Sequence, residues 1–423
     1  MLDLSKVKIK AVILFGLAFM AFAAGGDAQG FSMERGRSME VPSQGNAPIA
    51  VGPFLFSPAL QLGWENHSNL WRSATDPVED EITVTRLRLL FEMPIRESFV
   101  RISYTPRYRD FKNTVVRDNW EHLLDVSGDF EFSNGLTVRA FYQFTRGDSS
   151  IGSVDPGGEL VYNGQPFTRQ HFAVDTSYWF SSTDGLQFNV STSDVDWQGD
   201  PVSGGESWFD YRENRVRTGW LHQLNPLLVM DVSLTFIDYS TDDLREISRD
   251  YTSTSVTAAF RGQLNSVLST QIRFGYADVN FSASAEAEPG FQAAAGFVVD
   301  GEITWALGSE SKLRLDLVGR PFASNYDSNS YYNTTAGRLL YDVDFGRLFG
   351  QARARLQHNS YDVPDSVLGV KRSDDIVTLS AGLGFRFTDR LSVRAAYSYE
   401  DRDSLAPYSY SNEIWLLDLI FGY

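Results

Sequence analysis

Arginine is the side chain whose number and spacing most clearly point to a chemical role in this chain. Of its 37 basic residues, six are lysines (Lys6, Lys8, Lys10, Lys112, Lys312 and Lys371) and the rest are arginines. Many arginines recur at every second position, within segments that alternate apolar and polar side chains. A guanidinium group stays charged and binds carboxylate, phosphate or sulfate groups through parallel hydrogen bonds. A pore lined with such groups would favour anionic cargo.

Fourteen arginines fall on the polar side of this alternation, and we predict that they line a pore: Arg86, Arg88, Arg101, Arg107, Arg109, Arg139, Arg215, Arg217, Arg273, Arg314, Arg338, Arg353, Arg355 and Arg394. The alternative is that they pair with carboxylates on the same side and brace the wall, namely Glu92, Asp125, Asp129, Glu131, Asp175, Asp231, Asp300, Glu302 and Asp316. Both interpretations predict a wet interior rather than an apolar ligand pocket.

The remaining candidates for chemistry are weak. The five histidines (67, 122, 171, 222 and 358) are scattered and match no metal-binding motif. His67-Ser68 and His358-Asn359-Ser360 could indicate a lipid hydrolase. Adjacent residues of a strand point to opposite faces, however, so His67 and Ser68 cannot form a catalytic dyad by themselves. We therefore expect no enzyme activity and no cofactor.

One acidic segment resembles the start of a calcium-binding loop but lacks the last ligand of that motif. Asp194, Asp196 and Asp200 have the spacing with which such a loop begins, but Gly205 stands where its last carboxylate belongs and Glu206 comes one position late. We predict no metal site and keep these three aspartates as a weak candidate. The net charge of −17 collects in predicted loops, which excludes nucleic acid as a partner. These loops are either simply solvated or bind divalent cations that bridge to lipopolysaccharide phosphates.

The alternating segments predict an all-β chain that forms a transmembrane antiparallel up-and-down barrel of about 18 strands, within a range of 16 to 18. We place strands at 52–64, 81–93, 97–109, 118–133, 136–146, 167–180, 185–197, 208–223, 226–239, 248–263, 266–281, 292–307, 311–323, 330–345, 348–361, 372–387, 390–400 and 410–423. Short connections such as Ser133-Asn134-Gly135 alternate with longer ones such as 147–166. Outer-membrane barrels show this alternation, with tight periplasmic turns and longer outer loops.

The last predicted strand has the features of a barrel assembly signal. Trp415, Leu417, Leu419, Phe421 and Tyr423 share one face and end in an aromatic residue. A charge on the lipid face costs about 2–4 kcal/mol at the bilayer midplane, so the apolar face points to lipid and the charged face to the lumen. Leu416 and Ile420 depart from this rule on the inner face, where the segment that precedes the barrel could cover them.

The N-terminus predicts export. Lys6, Lys8 and Lys10 precede an apolar run from Ala11 to Ala24, which is too short for a spanning helix and typical of a signal peptide over residues 1–28. Residues 29–50 then form a flexible periplasmic lead-in, and residues 51–423 form the barrel. The lead-in is too short for a plug domain, so energy-coupled uptake is not expected. The chain contains no cysteine, which excludes disulfides and a lipoprotein anchor.

The first strands resemble a known family. The segments PFLFSPALQLGWENHSNLWRS (Pro53 to Ser73), VTRLRLLFEMP and ISYTPRYRDF (Ile102 to Phe111) are similar to the openings of β-barrel porins of family type 2. These motifs are structural, so they carry over no catalytic residues. Some barrels of this type lie in exopolysaccharide loci. The resemblance therefore implies a polymer exit channel with a periplasmic polysaccharide-export partner.

Three functional hypotheses remain open. The first is a channel for hydrophilic solutes or exported polysaccharide, in which the arginines set selectivity. The second is a non-conducting scaffold or adhesin, in which loop 147–166 folds inward or binds a partner. The third is an outer-membrane hydrolase. Phe141 and Trp179 are inward candidates for stacking on sugars. The expected location is the bacterial outer membrane. The expected partners there are outer-membrane lipid, lipopolysaccharide and the barrel assembly machinery.

Overall fold

The computed structural model describes residues 48–113, 118–148, 155, 157–159, 165–197, 210–242, 249–282, 294–324, 331–364, 369–405 and 408–422. The predicted signal peptide lies outside these residues, as does most of the lead-in. The described part of the chain contains no helix with the length and apolarity of a membrane-crossing helix.

Nineteen antiparallel strands make up the described chain. They are β1 (Ile49–Val51), β2 (Phe54–His67), β3 (Asp80–Ile95), β4 (Ser98–Phe111), β5 (Asn119–Glu131), β6 (Leu136–Gly147), β7 (Phe167–Trp179), β8 (Asp184–Trp197), β9 (Asp210–Asn225), β10 (Leu228–Asp242), β11 (Tyr251–Gln263), β12 (Leu268–Phe281), β13 (Ala294–Ala306), β14 (Ser311–Ala323), β15 (Tyr331–Phe345), β16 (Leu348–Pro364), β17 (Lys371–Thr388), β18 (Leu391–Asp403) and β19 (Tyr410–Gly422). Strands β2 to β19 are the eighteen predicted strands, with every end within three residues of its predicted position, so the predicted fold class is confirmed.

The eighteen long strands close into a ring. Each pairs with its neighbours in the chain, and β2 pairs with both β3 and β19, for example through Gln61 with Arg86 and Ile420 with Gln61. The short strand β1 lies along β2 just beyond the end of β19, with Ile49 opposite Phe56. The sequence did not predict β1, because three residues are too few to show an alternating pattern. It includes the last two residues of the predicted lead-in.

The tight turns have the chemistry that the sequence predicted. In the β5–β6 turn, Gly135 takes a positive φ of 83°, and the side chain of Asn134 accepts a hydrogen bond from the amide of Leu136 at 3.2 Å. In the β15–β16 turn, Gly346 has a φ of 76° and its amide donates to Asp344 at 3.1 Å. Two-residue hairpins need such positive angles, which glycine adopts without steric cost.

The two faces of the wall differ in polarity. One face carries exposed apolar side chains, among them Phe297, Leu383 and Val256, which are 81%, 63% and 58% exposed. In a closed barrel this face points outward. The opposite face carries most of the charged residues. Because side chains alternate along a strand, pairing registers assign every described strand residue to one face or the other.

Buried aromatic rings line the inner face near the outer ends of strands β7 to β12. The rings of Tyr211 and Tyr239 stack at a centroid distance of 5.1 Å, and those of Tyr239 and Tyr251 at 4.7 Å. Phe167 packs on Trp197 at one end of this row, and Phe281 packs on Tyr251 at the other. The sequence analysis named only Phe141 and Trp179 as inward aromatic residues and did not predict this inner row.

Candidate functional site on the inner face

Pairing registers place all fourteen predicted pore-lining arginines on the inner face. Arg86, for example, lies directly across from Gln61 on β2 and Arg107 on β4, while its neighbour Leu87 is among the exposed apolar side chains. The same assignment follows for the other arginines from their partners on adjacent strands.

At least nine of these arginines form ion pairs, five of them with carboxylates that the bracing alternative named. Pairs with normal separations are Arg101–Glu92 at 2.7 Å, Arg139–Asp129 at 3.2 Å, Arg215–Glu213 at 2.9 Å, Arg314–Asp316 at 3.5 Å, Arg338–Asp316 at 2.7 Å and Arg394–Asp418 at 2.9 Å. Closer pairs join Arg107 to Glu121, Arg109 to Asp148 and Arg217 to Asp231. Most join adjacent strands and therefore brace the wall.

The inner face of strands β14 to β16 carries an excess of positive charge. Arg338 lies directly across from Arg355, and Arg353 donates a hydrogen bond to Gln351 at 3.2 Å. The basic residues of this face are Lys312, Arg314, Arg320, Arg338, Arg353 and Arg355, and the acidic ones are Asp316, Asp342 and Asp344. Six basic residues thus outnumber three acidic ones on this face, and like charges on neighbouring strands repel each other.

The outer connection between β6 and β7 reaches the opposite wall. In a ring of eighteen strands the position opposite the β6–β7 gap is the β15–β16 pair. A barrel of this size has a backbone diameter of about 35 Å, from a strand spacing of ~4.8 Å and a tilt of ~40°. The eight residue-to-residue steps from Gly147 to Asp155 can span at most about 28 Å.

We call Asp155 and Gly157–Glu159 the loop tip. The hydroxyl of Tyr332 on β15 donates to Asp155 at 3.0 Å, and the hydroxyl of Ser324 donates to Glu159 at 2.5 Å. Gln357 and Asn359 on β16 donate to the carbonyl of Gly157, the latter at 3.4 Å. Glu159 is 0% exposed. The loop tip is therefore docked on the far wall at the outer end of the lumen.

A local turn gives the loop tip its shape. The amide of Gly158 donates to the carbonyl of Asp155 at 3.2 Å and to its side chain at 3.1 Å, and Gly158 has a φ of 71°. At Gly157 a Cβ atom would lie 1.7 Å from the Tyr332 hydroxyl, so only glycine fits against that ring. The sequence Asp155-Pro156-Gly157-Gly158 is typical of a turn.

A buried charged network continues from the loop tip around the wall. Arg402 on β18 donates to the carbonyl of Glu159 at 2.9 Å and pairs with Asp374 on β17 at 2.5 Å. Arg372 binds the same Asp374 through two hydrogen bonds of 2.9 and 3.0 Å. Its guanidinium also stacks on the rings of Tyr361 and Tyr408, 4.7 and 3.8 Å from their centroids. The sequence analysis did not identify this network, because its members are far apart in the chain.

The other predicted site residues lie apart from this network. Asp194 forms an ion pair of 2.5 Å with Arg212 on the outward face, and Asp200 lies outside the described residues. Among the described residues, no group of three or more acidic or histidine side chains could hold a metal ion. Trp415, Leu417 and Phe421 are exposed on the outer face of β19, which Leu419 shares, and Tyr423 is not described. Leu416 and Ile420 face inward, and Ile420 is buried.

The two histidine–serine segments form no described dyad. His67 contacts Glu65 at 3.1 Å, and the hydroxyl of Ser68 accepts a hydrogen bond from the amide of Glu413 at 2.8 Å. His358 contacts Asp375 at 2.9 Å on the outer face. Of the aromatic candidates for sugar stacking, Phe141 faces inward and contacts His171, with 6.0 Å between ring centroids. Trp179 is half-buried at the opposite end of its strand from the buried rings.

Among solved structures, the fold of this chain is similar to those of other barrels. The ferric citrate transporter FecA in its unliganded form is 11% identical with a TM-score of 0.43, and the match covers 82% of this chain and 60% of FecA. OccAB3 of Acinetobacter baumannii is 11% identical with a TM-score of 0.46, covering 88% of this chain and 100% of OccAB3. The outer membrane protein OpdK of Pseudomonas aeruginosa is 13% identical with a TM-score of 0.45, covering 87% and 99%.

Sequence comparison gives the family. No curated protein matches the chain in sequence. The family described as "Putative beta-barrel porin 2" matches residues 42–419, which include every long strand from β2 to β18 and most of β19. This is the family that the first strands resemble. The chain therefore belongs to the "Putative beta-barrel porin 2" family of β-barrels.

Proposed function

We propose that this protein is a passive aqueous channel of the bacterial outer membrane that favours anionic hydrophilic solutes. The observation that carries the proposal is the excess of arginine on the inner face of β14 to β16, where Arg338 lies across from Arg355. Two unit charges 10 Å apart in water interact by about 0.4 kcal/mol. Several such interactions along a lumen are enough to favour anions over cations.

Acidic polysaccharide leaving the cell is the cargo that we favour within this class. Uronate groups present carboxylates at regular intervals, and guanidinium groups at successive positions of one face, such as Arg353 and Arg355, can bind them in turn. Residues 1–28 would direct export as a signal peptide, and Trp415 to Tyr423 would serve the assembly machinery. Lipid and lipopolysaccharide would surround the apolar outer face. A periplasmic export partner would deliver the polymer.

A non-conducting scaffold is the second candidate, and the docked loop tip favours it. Tyr332 and Ser324 hold the loop tip against the far wall, so the loop obstructs the outer end of the lumen. We propose no catalytic role, since the family is one of porins and the hydroxyl of Ser68 is bonded to Glu413 and Asn412.

Permeation into lipid vesicles tests the channel proposal. Vesicles containing the refolded barrel are challenged with a uronate trisaccharide and with a neutral trisaccharide of the same size, and the swelling rate is measured. We expect faster entry of the acidic sugar, with the difference reduced by high salt as screening shortens the range of the charges. Equal rates for both sugars would overturn the proposed selectivity. No entry of either sugar through a folded barrel would favour the scaffold.

A further inference from the structure

Two arginines on the inner face of β3 differ in their contacts from most of the predicted pore-lining arginines. Arg86 and Arg88 form no ion pair with any residue that the structure describes, whereas most of the others have a carboxylate partner. Arg86 donates a hydrogen bond to the side-chain oxygen of Gln61 at 3.3 Å. The Nε atom of Arg88 is buried, and no described group accepts a hydrogen bond from it. Bracing by ion pairs therefore does not explain why these two positions are arginine.

The side chains directly beside Arg88 are short. Arg88 lies across from Ala59 on β2. On the other side, Arg86 lies across from Arg107 on β4. Two residues further along both strands, the same register puts Thr105 across from Arg88. Because alanine and threonine are much shorter than arginine, the half-buried Arg88 side chain extends past both of them toward the lumen.

No carboxylate occupies the inner-face positions next to Arg88. Besides the residues just named, these positions hold Ser57, Gln61, Leu90 and Ser103. Serine and threonine hydroxyls donate and accept hydrogen bonds, as the hydroxyl groups of a sugar do. The surroundings of Arg88 thus lack a counter-charge and offer several groups that can bind a polar ligand.

The carboxylates of the adjoining wall are bound by other groups. Asp418 accepts a hydrogen bond from the side-chain nitrogen of Gln61 at 2.7 Å, and Glu121 pairs with Arg107. The Gln61 amide therefore lies between Arg86 and Asp418, with its oxygen toward the arginine and its nitrogen toward the carboxylate. This arrangement positions Arg86 without giving it a direct ion pair.

We propose that Arg86 and Arg88, together with the hydroxyls of Ser103 and Thr105, bind the carboxylate of an acidic sugar inside the lumen. We call this place the Arg86–Arg88 site. Arg88 lies near the middle of β3, so the site is at mid-height in the wall. Two residues that are two positions apart on a strand have Cα atoms about 6.8 Å apart, and both long side chains can reach one ligand. A guanidinium group binds a carboxylate through two parallel hydrogen bonds.

This inference rests on the proposed function, because an acidic sugar reaches mid-height in the lumen only if the barrel admits it. It adds a second place of selection to the basic face of β14 to β16. The hydroxyls of Ser103 and Thr105 bind the sugar hydroxyls beside the carboxylate, so a sugar acid is preferred to a small inorganic oxyanion.

Arginine-selective labelling with phenylglyoxal tests the site in the wild-type barrel, without any measurement of conduction. The folded full-length protein in detergent is labelled, and mass spectrometry gives the labelling rate of each arginine. We expect Arg88 to react about tenfold faster than Arg394, which is buried and bound to Asp418, the effect of one hydrogen bond to a charged group. A galacturonate trisaccharide should slow the labelling of Arg88. Maltotriose, potassium chloride and sodium sulfate, the salts at matched ionic strength, should slow it much less.

Substitution of Arg88 tests the same site by affinity. Isothermal titration calorimetry measures the Kd of the galacturonate trisaccharide for the folded barrel. Arg88→Gln should raise this Kd about tenfold. Arg88→Lys, which keeps the charge but cannot form two parallel hydrogen bonds, should raise it less. Arg212→Gln is the matched control, because Arg212 lies on the outward face and should not affect the Kd.

Three results would each overturn the proposal. The first is that Arg88 reacts no faster than Arg394. The second is that the galacturonate trisaccharide protects Arg88 no better than maltotriose or either salt does. The third is that folded Arg88→Gln binds the trisaccharide as tightly as the wild type.

These outcomes separate the Arg86–Arg88 site from the channel. Protection of Arg88 in a barrel that admits no sugar into vesicles would support the site and remove the proposed function. Vesicles that admit the acidic sugar faster than the neutral one, while the acidic sugar leaves Arg88 unprotected, would support the channel and remove the site.

Discussion

Tyr332 donates a hydrogen bond of 3.0 Å to Asp155, although Tyr332 belongs to β15 and Asp155 to the connection between β6 and β7, half a ring away. The Tyr332 side chain is 0% exposed, so this bond forms in an environment shielded from water. A hydrogen bond to a charged group in such a setting contributes about 1.5–3 kcal/mol. The contact therefore ties the loop tip to the far wall.

Removing the space for the loop tip should open the channel. In Gly157→Ala the new Cβ atom would lie 1.7 Å from the Tyr332 hydroxyl, so the loop tip must move away from the wall. We expect a larger single-channel conductance than in the wild type. Gly319→Ala is the matched control, because its added Cβ would meet nothing closer than 3.7 Å. Equal conductance in the wild type and the Gly157 variant would show that the docked loop does not limit the flow.

Neutralising two inner arginines should weaken anion selectivity. Arg353→Gln with Arg355→Gln removes two positive charges from the inner face of β16, and one charge acting over about 10 Å in water changes the permeability ratio about two-fold. We expect the reversal potential in a salt gradient to move toward that of the cation. The control combines Asp129→Asn with Arg139→Gln, which removes one charge of each sign. If the double arginine variant has the same reversal potential as the charge-neutral control, these arginines only brace the wall.

The pairing between β19 and β2, which we call the seam, should depend for its stability on one buried carboxylate. Asp418 on β19 pairs with Arg394 at 2.9 Å and accepts from Gln61 on β2 at 2.7 Å. Asp418→Ala leaves Arg394 buried without this partner, which should cost about 3–5 kcal/mol. The loss of unfolding free energy is measured by urea titration of the barrel in lipid vesicles. The folded fraction at each urea concentration is read from heat-modifiable gel mobility. Asp129→Ala, in a pair whose arginine is 58% exposed, should cost under ~1 kcal/mol. Equal losses would contradict this account of the seam.

A pair of adjacent residues can test the assignment of the faces. Val256 is exposed on the outer face of β11, and Ser255 faces inward between Thr235 and Ala277. Val256→Arg should destabilise the barrel in lipid by about 2–4 kcal/mol, because a charge at that depth faces hydrocarbon. Ser255→Arg should be tolerated. The same urea titration compares them, and the reverse order would invalidate the face assignment for this strand.

Strand positions were predictable because alternation and turn residues are local signals. Asn134-Gly135 and Gly346 mark turns by themselves, and a period of two places Arg353 on the face opposite Ala352 and Ala354. The even number of strands followed from short and long connections in alternation. β1 was missed, since three residues carry no period.

The docked loop tip could not be predicted for a physical reason. A turn at Asp155 to Gly158 is visible in the sequence. The partners of Asp155, Gly157 and Glu159, however, are Tyr332, Gln357 and Arg402, which lie from 177 to 243 positions away along the chain. Nothing in the local pattern of either segment encodes that distance. The ion pairs were anticipated as a class, yet Arg107–Glu121 and Arg394–Asp418 involve carboxylates outside the predicted set.

Planar-bilayer recording of the refolded protein tests the central claim most directly, with the wild type and Gly157→Ala measured side by side in a gradient of potassium chloride. The account predicts stable openings with a reversal potential displaced toward that of chloride, and a larger conductance in the variant. Folded barrels that never conduct in either form, or that conduct with a preference for potassium, would contradict it.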